Sequence, residues 1–212
     1  MKKIIGVVLT LILVLSIVLT GCGQNSKPTG SEGEPKNSNE PLVVGFIYIG
    51  PANDGGYSQA HDNGRKQLEQ ELGDKVKTIV VENVPEDQSV EKVMRDMIDQ
   101  GAKVIFATSF GYMDYVAKVA KEFPDVIFLH CSGSTTLENM GTYFGKMYEA
   151  RYLSGIVAGM KTKSNKIGYV AAMPIPEVIR MINAFTLGVK SVNPDATVEV
   201  TWTNTWYDPA KE

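Results

Sequence analysis

Four short apolar runs, separated by segments with helical periodicity, constrain the fold of this chain more than any other feature. The runs span residues 42–48, 76–82, 103–108 and 126–130, and they are rich in β-branched and aromatic residues. Such runs are typical of buried strands. Because near-continuous hydrophobicity is found in parallel strands that are covered on both faces, the sequence predicts a parallel sheet.

The segments between these runs have the period of amphipathic helices. Residues 88–100 place apolar side chains on one stripe and charged ones, Glu91 among them, on the other face, and Gly101 follows as a stop signal. Further helices are predicted from about Ser58 to Gly73 and from about Met113 to before Pro124. The alternation predicts an α/β fold with right-handed crossovers.

A second series of elements follows in residues 148–212. Residues 148–161 and 176–192 have helical patterns, and residues 166–171 and 197–203 have strand patterns. Asp208 and Pro209 then form the start signal of another helix, at the very end of the sequence. A strand without its covering helix leaves apolar surface exposed, so we predict that the chain is truncated.

The first 41 residues are predicted to lie outside the folded body. Two lysines and an apolar run over 4–19 have the form of a signal peptide, and the run is shorter than the roughly 20 residues that a permanent membrane anchor requires. The following LTGC at 19–22 resembles a bacterial lipobox, which implies a signal peptide over 1–21 and lipid attachment to Cys22. Residues 22–41 are polar and are interpreted as a flexible tether.

Composition excludes several classes of protein. The net charge of −3 and the pI near 5.5 argue against nucleic-acid binding, which usually needs a basic surface. Two cysteines allow at most one disulfide, and with only two histidines the sequence offers few ligands for a zinc site. We therefore expect no metal and no cofactor.

The loop after the first strand is a candidate ligand site, because open parallel sheets bind ligands beyond the carboxyl ends of their strands. Its glycines allow close approach of the backbone, Asp54 can accept hydrogen bonds, and Tyr57 offers a stacking face. The alternative is a well-capped turn with Tyr57 in the core. Spacing alone does not separate the two interpretations.

Aromatic residues also follow other strands, at Phe110 and Trp206, as would suit a planar ligand. Enzyme chemistry is poorly supported, because no nucleophile-elbow, P-loop or dinucleotide motif is present. His130 and Cys131 are adjacent in a strand, so they point to opposite faces and cannot form a dyad. Cys131 is expected to be an inert thiol, and His61 to lie on the exposed or ligand-facing side of its helix.

Several long segments resemble the basic membrane protein family, the substrate-binding lipoproteins of ABC importers. The resemblance covers residues 42–212 and is carried by GPANDGGYSQAHDNGR at 50–65, ATSFGYMD at 107–114, YEARYLSGIVAG at 148–159, SNKIGYVAAMPIPEVIRMINAFTLGVKSVNPDA at 164–196 and TWYDPAKE at 205–212. It implies a type 1 periplasmic-binding-protein fold with two parallel-sheet α/β lobes. Residues 42–163 would form most of lobe one, and 164–212 the start of an incomplete lobe two.

The resemblance also implies a function and a set of ligand-binding residues. Characterised members bind purine bases or nucleosides, deliver them to an ABC permease and are lipid-anchored outside the cytoplasm. Met181 and Ile182 differ from the Phe and Glu common in the nucleoside-binding branch, which favours a free base such as adenine. Alternatives are a sensory or surface lipoprotein and, less favoured, an α/β hydrolase acting on nucleosides. The residues that the resemblance assigns to the ligand are Asp54, Gly56, Tyr57, Phe110, Met181 and Trp206.

Overall fold

The computed structural model describes residues 40–206, 208, 210 and 211. The predicted signal peptide over 1–21, the lipidation site Cys22 and nearly all of the tether over 22–41 lie outside these residues. Within the described part, no helix combines the length and apolar character needed to cross a membrane. Near the C-terminal end of the described residues, the Asp208 carboxylate accepts a hydrogen bond from the Ala210 amide at 3.1 Å.

Seven strands and five helices follow one another along the described chain, and they alternate except where β5 follows β4 directly. The strands are β1 (Leu42–Ile47), β2 (Val76–Val81), β3 (Val104–Ala107), β4 (Ile127–Cys131), β5 (Met140–Tyr143), β6 (Lys166–Ala171) and β7 (Thr197–Trp202). The helices are α1 (Tyr57–Leu72), α2 (Ser89–Asp99), α3 (Met113–Glu122), α4 (Met147–Lys161) and α5 (Pro176–Val192). Short 3₁₀ turns cover Gly73–Lys75 and Phe110–Tyr112.

The first five strands form one parallel sheet in the order β2-β1-β3-β4-β5. Strand β1 lies inside this sheet, and its side chains alternate between two apolar clusters. Ile47 packs with α2 and α3 on one face, whereas Val44, Phe46 and Tyr48 pack on the other. The predicted parallel sheet with both faces covered is therefore confirmed.

Strand β5 was not predicted from the sequence. It is only four residues long, includes a glycine and has little apolar character. It pairs in parallel with β4, with Cys131 opposite Tyr143. Tertiary pairing, rather than local pattern, makes this segment a strand.

Helix α2 follows the predicted stripe with one exception. Val90, Met94 and Met97 are buried as expected. Glu91, predicted on the exposed face, is also buried, because Lys118 of α3 and Arg95 pair with its carboxylate at 2.8 and 3.1 Å. The helix ends at the predicted glycine, since Gly101 adopts a φ of 95°.

Strands β6 and β7 form a separate two-stranded parallel sheet that packs against α5. Helix α4 packs against α5 at very short range, through Gly155 and Gly188. Large apolar side chains on the outer surface of this pair are exposed, including Leu153 and Leu187. The division of the chain into lobes at residue 163 stays a prediction.

Candidate functional site

A cavity of about 610 Å³ lies where the carboxyl ends of strands from both sheets meet. Its walls come from the segments that follow β1, β3, β4, β5, β6 and β7 and from helices α1, α4 and α5. All six residues assigned to a ligand from the sequence line it, namely Asp54, Gly56, Tyr57, Phe110, Met181 and Trp206. The tertiary structure thus brings together residues that are up to 152 positions apart, from Asp54 to Trp206.

Asp54 organises the loop between β1 and α1. Its carboxylate accepts hydrogen bonds from the amides of Gly56 (2.8 Å), Ser58 (2.8 Å) and Gln59 (3.0 Å). Burial alone would raise the pKa of Asp54, but these hydrogen bonds outweigh it and lower the pKa. The residue therefore stabilises the start of α1, and it also lines the cavity.

The Gly56 amide donates its hydrogen bond to Asp54 and is not available to a ligand. Gly56 lines the cavity with backbone alone, because it has no side chain. The residue that needs glycine for its backbone conformation is the neighbouring Gly55, with a φ of 70°. A left-handed residue at this position turns the chain sharply into α1.

Tyr57 lies on the cavity wall with 36% of its surface exposed. Its hydroxyl donates to the Thr108 carbonyl oxygen at 2.6 Å and lies 3.2 Å from the Cys131 sulfur. Burial of the hydroxyl end raises the pKa of Tyr57. The alternative interpretation of this loop was a well-capped turn with Tyr57 in the core. The capped turn is present, but Tyr57 does not lie in the core.

Two further rings on this wall were not assigned to the ligand from the sequence. His61 lies edge-on to Tyr57 at 4.7 Å between ring centroids and to Tyr143 of β5 at 6.2 Å. Burial lowers the pKa of His61, so its imidazole is neutral near neutral pH and offers one donor and one acceptor. Tyr143 was missed because the strand that carries it has no clear sequence pattern.

Phe110 and Trp206 also line the cavity, and Glu86 connects the segments that carry them. The Trp206 indole N–H donates to Glu86 Oε2 at 2.9 Å. Glu86 Oε1 accepts from the Ser109 hydroxyl at 2.6 Å and from the Gly111 amide at 2.7 Å. Glu86 therefore ties the segment after β7 to the segment after β3.

Helix α5 contributes Glu177, Val178 and Met181 to the cavity. Ile182, the next residue, lies below the wall in the apolar cluster with Ala171 and Val178. The acid that could have interacted with a ligand from position 182 is therefore absent, but Glu177 places a carboxylate on the same helix. Sequence reasoning did not single out Glu177.

The arrangement of His130 and Cys131 does not suit nucleophilic catalysis. His130 Nε2 bonds to the Ser109 carbonyl oxygen at 2.7 Å, whereas Cys131 faces Tyr57. Burial raises the pKa of the Cys131 thiol, which keeps it protonated and unreactive. Among the described residues, no group of three or more His, Cys, Asp or Glu side chains could hold a metal ion.

Comparison with known protein families gives one match over most of the chain. The model of the family described as ABC transporter substrate-binding protein, PnrA-like, matches residues 42–212. This is the basic membrane protein family whose motifs the sequence resembles. The family consists of binding proteins rather than enzymes, in agreement with the prediction from the sequence.

Two curated relatives and one solved structure illustrate the similarity. The chain is 48% identical to a purine-binding protein of Brucella abortus over 180 residues, which is 85% of this chain and 51% of the relative. It is 46% identical to a putative ABC transporter glucose-binding protein of Haloferax volcanii over 179 residues, which is 84% of this chain and 45% of the relative. The chain thus spans about half the length of these relatives.

The solved structure is an ABC transporter solute-binding protein from Conexibacter woesei. It superimposes with a TM-score of 0.63 at 25% identity, covering 80% of this chain and 57% of that chain. This similarity confirms the predicted α/β fold of the periplasmic-binding-protein kind.

Proposed function

The chain belongs to the PnrA-like family of ABC transporter substrate-binding proteins, and we propose that it binds a purine-type ligand, a free base such as adenine or a nucleoside, in the cavity between its two sheets. The observation that carries the proposal is the convergence of Tyr57, Phe110 and Trp206 on that cavity. Aromatic faces of this kind stack on planar ligands. The relative named as a purine-binding protein supports the same ligand class.

The size and chemistry of the cavity fit such a ligand. A volume of about 610 Å³ lies within the roughly 300–1,000 Å³ that is common for small-molecule sites. The walls combine apolar and aromatic side chains with a few polar groups, among them Asp54, His61 and Glu177. Closure of the two sheets around a ligand would exclude water and strengthen each hydrogen bond to it.

A sugar is the second candidate, because a relative of nearly equal identity is named as a putative glucose-binding protein. Calorimetric titration of the protein at its full natural length with adenine, adenosine and glucose separates the two candidates. We expect a purine to bind and glucose to give no heat above dilution. Binding of glucose alone would overturn the purine assignment. Absence of binding heat for adenine, adenosine and glucose would overturn the ligand proposal.

The proposal extends to transport and to attachment at the membrane. The bound ligand would be delivered to an ABC permease outside the cytoplasm, with the protein held by lipid on Cys22 and spaced from the membrane by residues 22–41. Adjacent permease and ATPase genes, together with loss of labelled adenine uptake on deletion, would favour transport over a sensory or surface role.

Release of a product from a nucleoside by the purified protein would instead support the hydrolase alternative.

Replacing Cys22 with alanine should move the protein from the membrane fraction to the soluble extracytoplasmic fraction. The thiol is the proposed site of lipid attachment, and attachment through more than one acyl chain is stable, whereas one chain holds only marginally. Fractionation and labelling with radioactive palmitate would measure the change, with Cys131→Ala as the matched control. Equal labelling of the wild-type protein and of Cys22→Ala would contradict the assignment.

A further inference from the structure

Glu177 is the one carboxylate of α5 that faces the cavity. It lies in the first turn of the helix, directly after Pro176, and lines the same cavity as Tyr57. Its Oε2 atom is shielded from solvent and has no hydrogen-bond partner among the described residues. A buried acceptor without a partner costs about 1–3 kcal/mol, and more if it is charged, so native proteins rarely leave one unused.

The groups around Glu177 do not supply the missing donor. The Ser132 hydroxyl, which follows β4, stabilises the ionised carboxylate and lowers its pKa, but it does not reach Oε2. Arg180 of the same helix lowers the pKa of the carboxylate through its positive charge. The Tyr57 hydroxyl is committed to the Thr108 carbonyl oxygen, and Cys131 shares that hydroxyl.

An ionised carboxylate accepts hydrogen bonds and donates none, so a partner for Oε2 must present an N–H or O–H group. Adenine offers such groups in its exocyclic amine and its ring N–H. A hydrogen bond to a charged partner is worth about 1.5–3 kcal/mol, roughly twice a neutral one.

We propose that Glu177 determines specificity by accepting a hydrogen bond at Oε2 from an N–H group of the bound ligand. The assignment rests on the proposed purine-binding function. It places the selective polar contact on α5, in the cavity that Tyr57 of α1 also lines. Ligands of the same shape that lack this N–H would leave the carboxylate buried without a partner.

Burial raises the pKa of Glu177 above its ordinary value of 4.5. A ligand that donates to the carboxylate favours the ionised form, so binding should strengthen as the pH rises through the pKa of the unliganded protein and then level off. The titratable groups that face Glu177 are Tyr57 of α1, Cys131 of β4 and Arg180 of α5. His61 also titrates in the cavity, but its contribution remains when Glu177 is replaced.

Glu177→Gln, made in the protein at its full natural length, tests the proposal. The amide replaces one of the two acceptor oxygens with an NH₂ donor and removes the charge, so the side chain accepts a hydrogen bond from the ligand less strongly. We expect adenine to bind about 10- to 100-fold more weakly and to lose the part of its pH dependence that belongs to Glu177. Glu149→Gln is the matched control, because Glu149 lies in the first turn of α4 with an exposed side chain.

Ligand analogues identify the contact independently of any change in folding. Purine lacks the exocyclic amine, and 9-methyladenine lacks the ring N–H of adenine. Loss of the N–H that contacts Glu177 should weaken binding to the wild-type protein far more than binding to Glu177→Gln. Equal affinities and pH profiles of the two proteins for adenine would overturn this assignment alone, whereas absence of purine binding by the wild-type protein would overturn the proposed function and this assignment with it.

Discussion

Replacing Gly188 with alanine should lower the free energy of unfolding by about 1–3 kcal/mol, the range measured for overpacked cores. A Cβ atom at this position would lie 2.0 Å from the Tyr152 carbonyl oxygen and 3.0 Å from the Ile156 amide nitrogen. Both contacts are with backbone atoms of α4, so no side-chain rotation relieves them. The two helices must separate, and the packing between them is then lost.

The same crossing makes Gly155 a reciprocal site. A Cβ atom there would lie 2.0 Å from the Phe185 carbonyl oxygen of α5. Because the two residues share one interface, the effects of Gly155→Ala and Gly188→Ala should not add: once the helices have separated for one methyl group, the second costs less.

Thermal or denaturant unfolding of the protein at its full natural length measures these changes. Gly64→Ala is the control, because Gly64 lies within α1 and, apart from the adjoining backbone of that helix, no atom lies within 4 Å of its Cβ position. Alanine is the better helix former, so this change should stabilise the protein by about 0.5–1 kcal/mol. Equal responses to Gly64→Ala and Gly188→Ala would show that α4 and α5 are not in such close contact.

The second large effect is expected at Tyr57. Tyr57→Ala should weaken binding of the proposed purine ligand by about 1–3 kcal/mol, the range for loss of one aromatic stacking partner of a base. That corresponds to roughly 5- to 150-fold in the dissociation constant. The ring is held in place by the hydrogen bond from its hydroxyl to the Thr108 carbonyl oxygen, so little entropy is lost when a ligand stacks on it.

Tyr57→Phe separates stacking from this hydrogen bond. The variant keeps the ring and loses the contact with Thr108, so its affinity should fall by much less than that of Tyr57→Ala. Calorimetric titration of both variants with adenine makes the comparison, and their unfolding curves show whether either fold is disturbed. Unchanged affinity in Tyr57→Ala would remove Tyr57 from the proposed site.

The sequence by itself determined the strands and helices whose patterns are local. The apolar runs that became β1 to β4 have the composition of buried strands, and the stripe through Val90, Met94 and Met97 has the period of α2. The capped turn at Asp54 was one of two interpretations that the sequence left open; its contacts are local, because an acid just before a helix bonds to amides that are adjacent in the chain.

The tertiary structure decided what depends on residues far apart in the chain. Strand β5 exists because β4 pairs with it, and Tyr143 reaches the cavity only through that pairing. Glu86 and Trp206 form a hydrogen bond across 120 positions, which no periodicity predicts. The unpartnered oxygen of Glu177 also could not be predicted from the sequence. The burial of this carboxylate and the groups around it depend on how the two sheets are placed around the cavity. Hydrophobic periodicity reports which face of an element is buried, but the polar contacts of a site depend on distances of a few ångströms between separate elements.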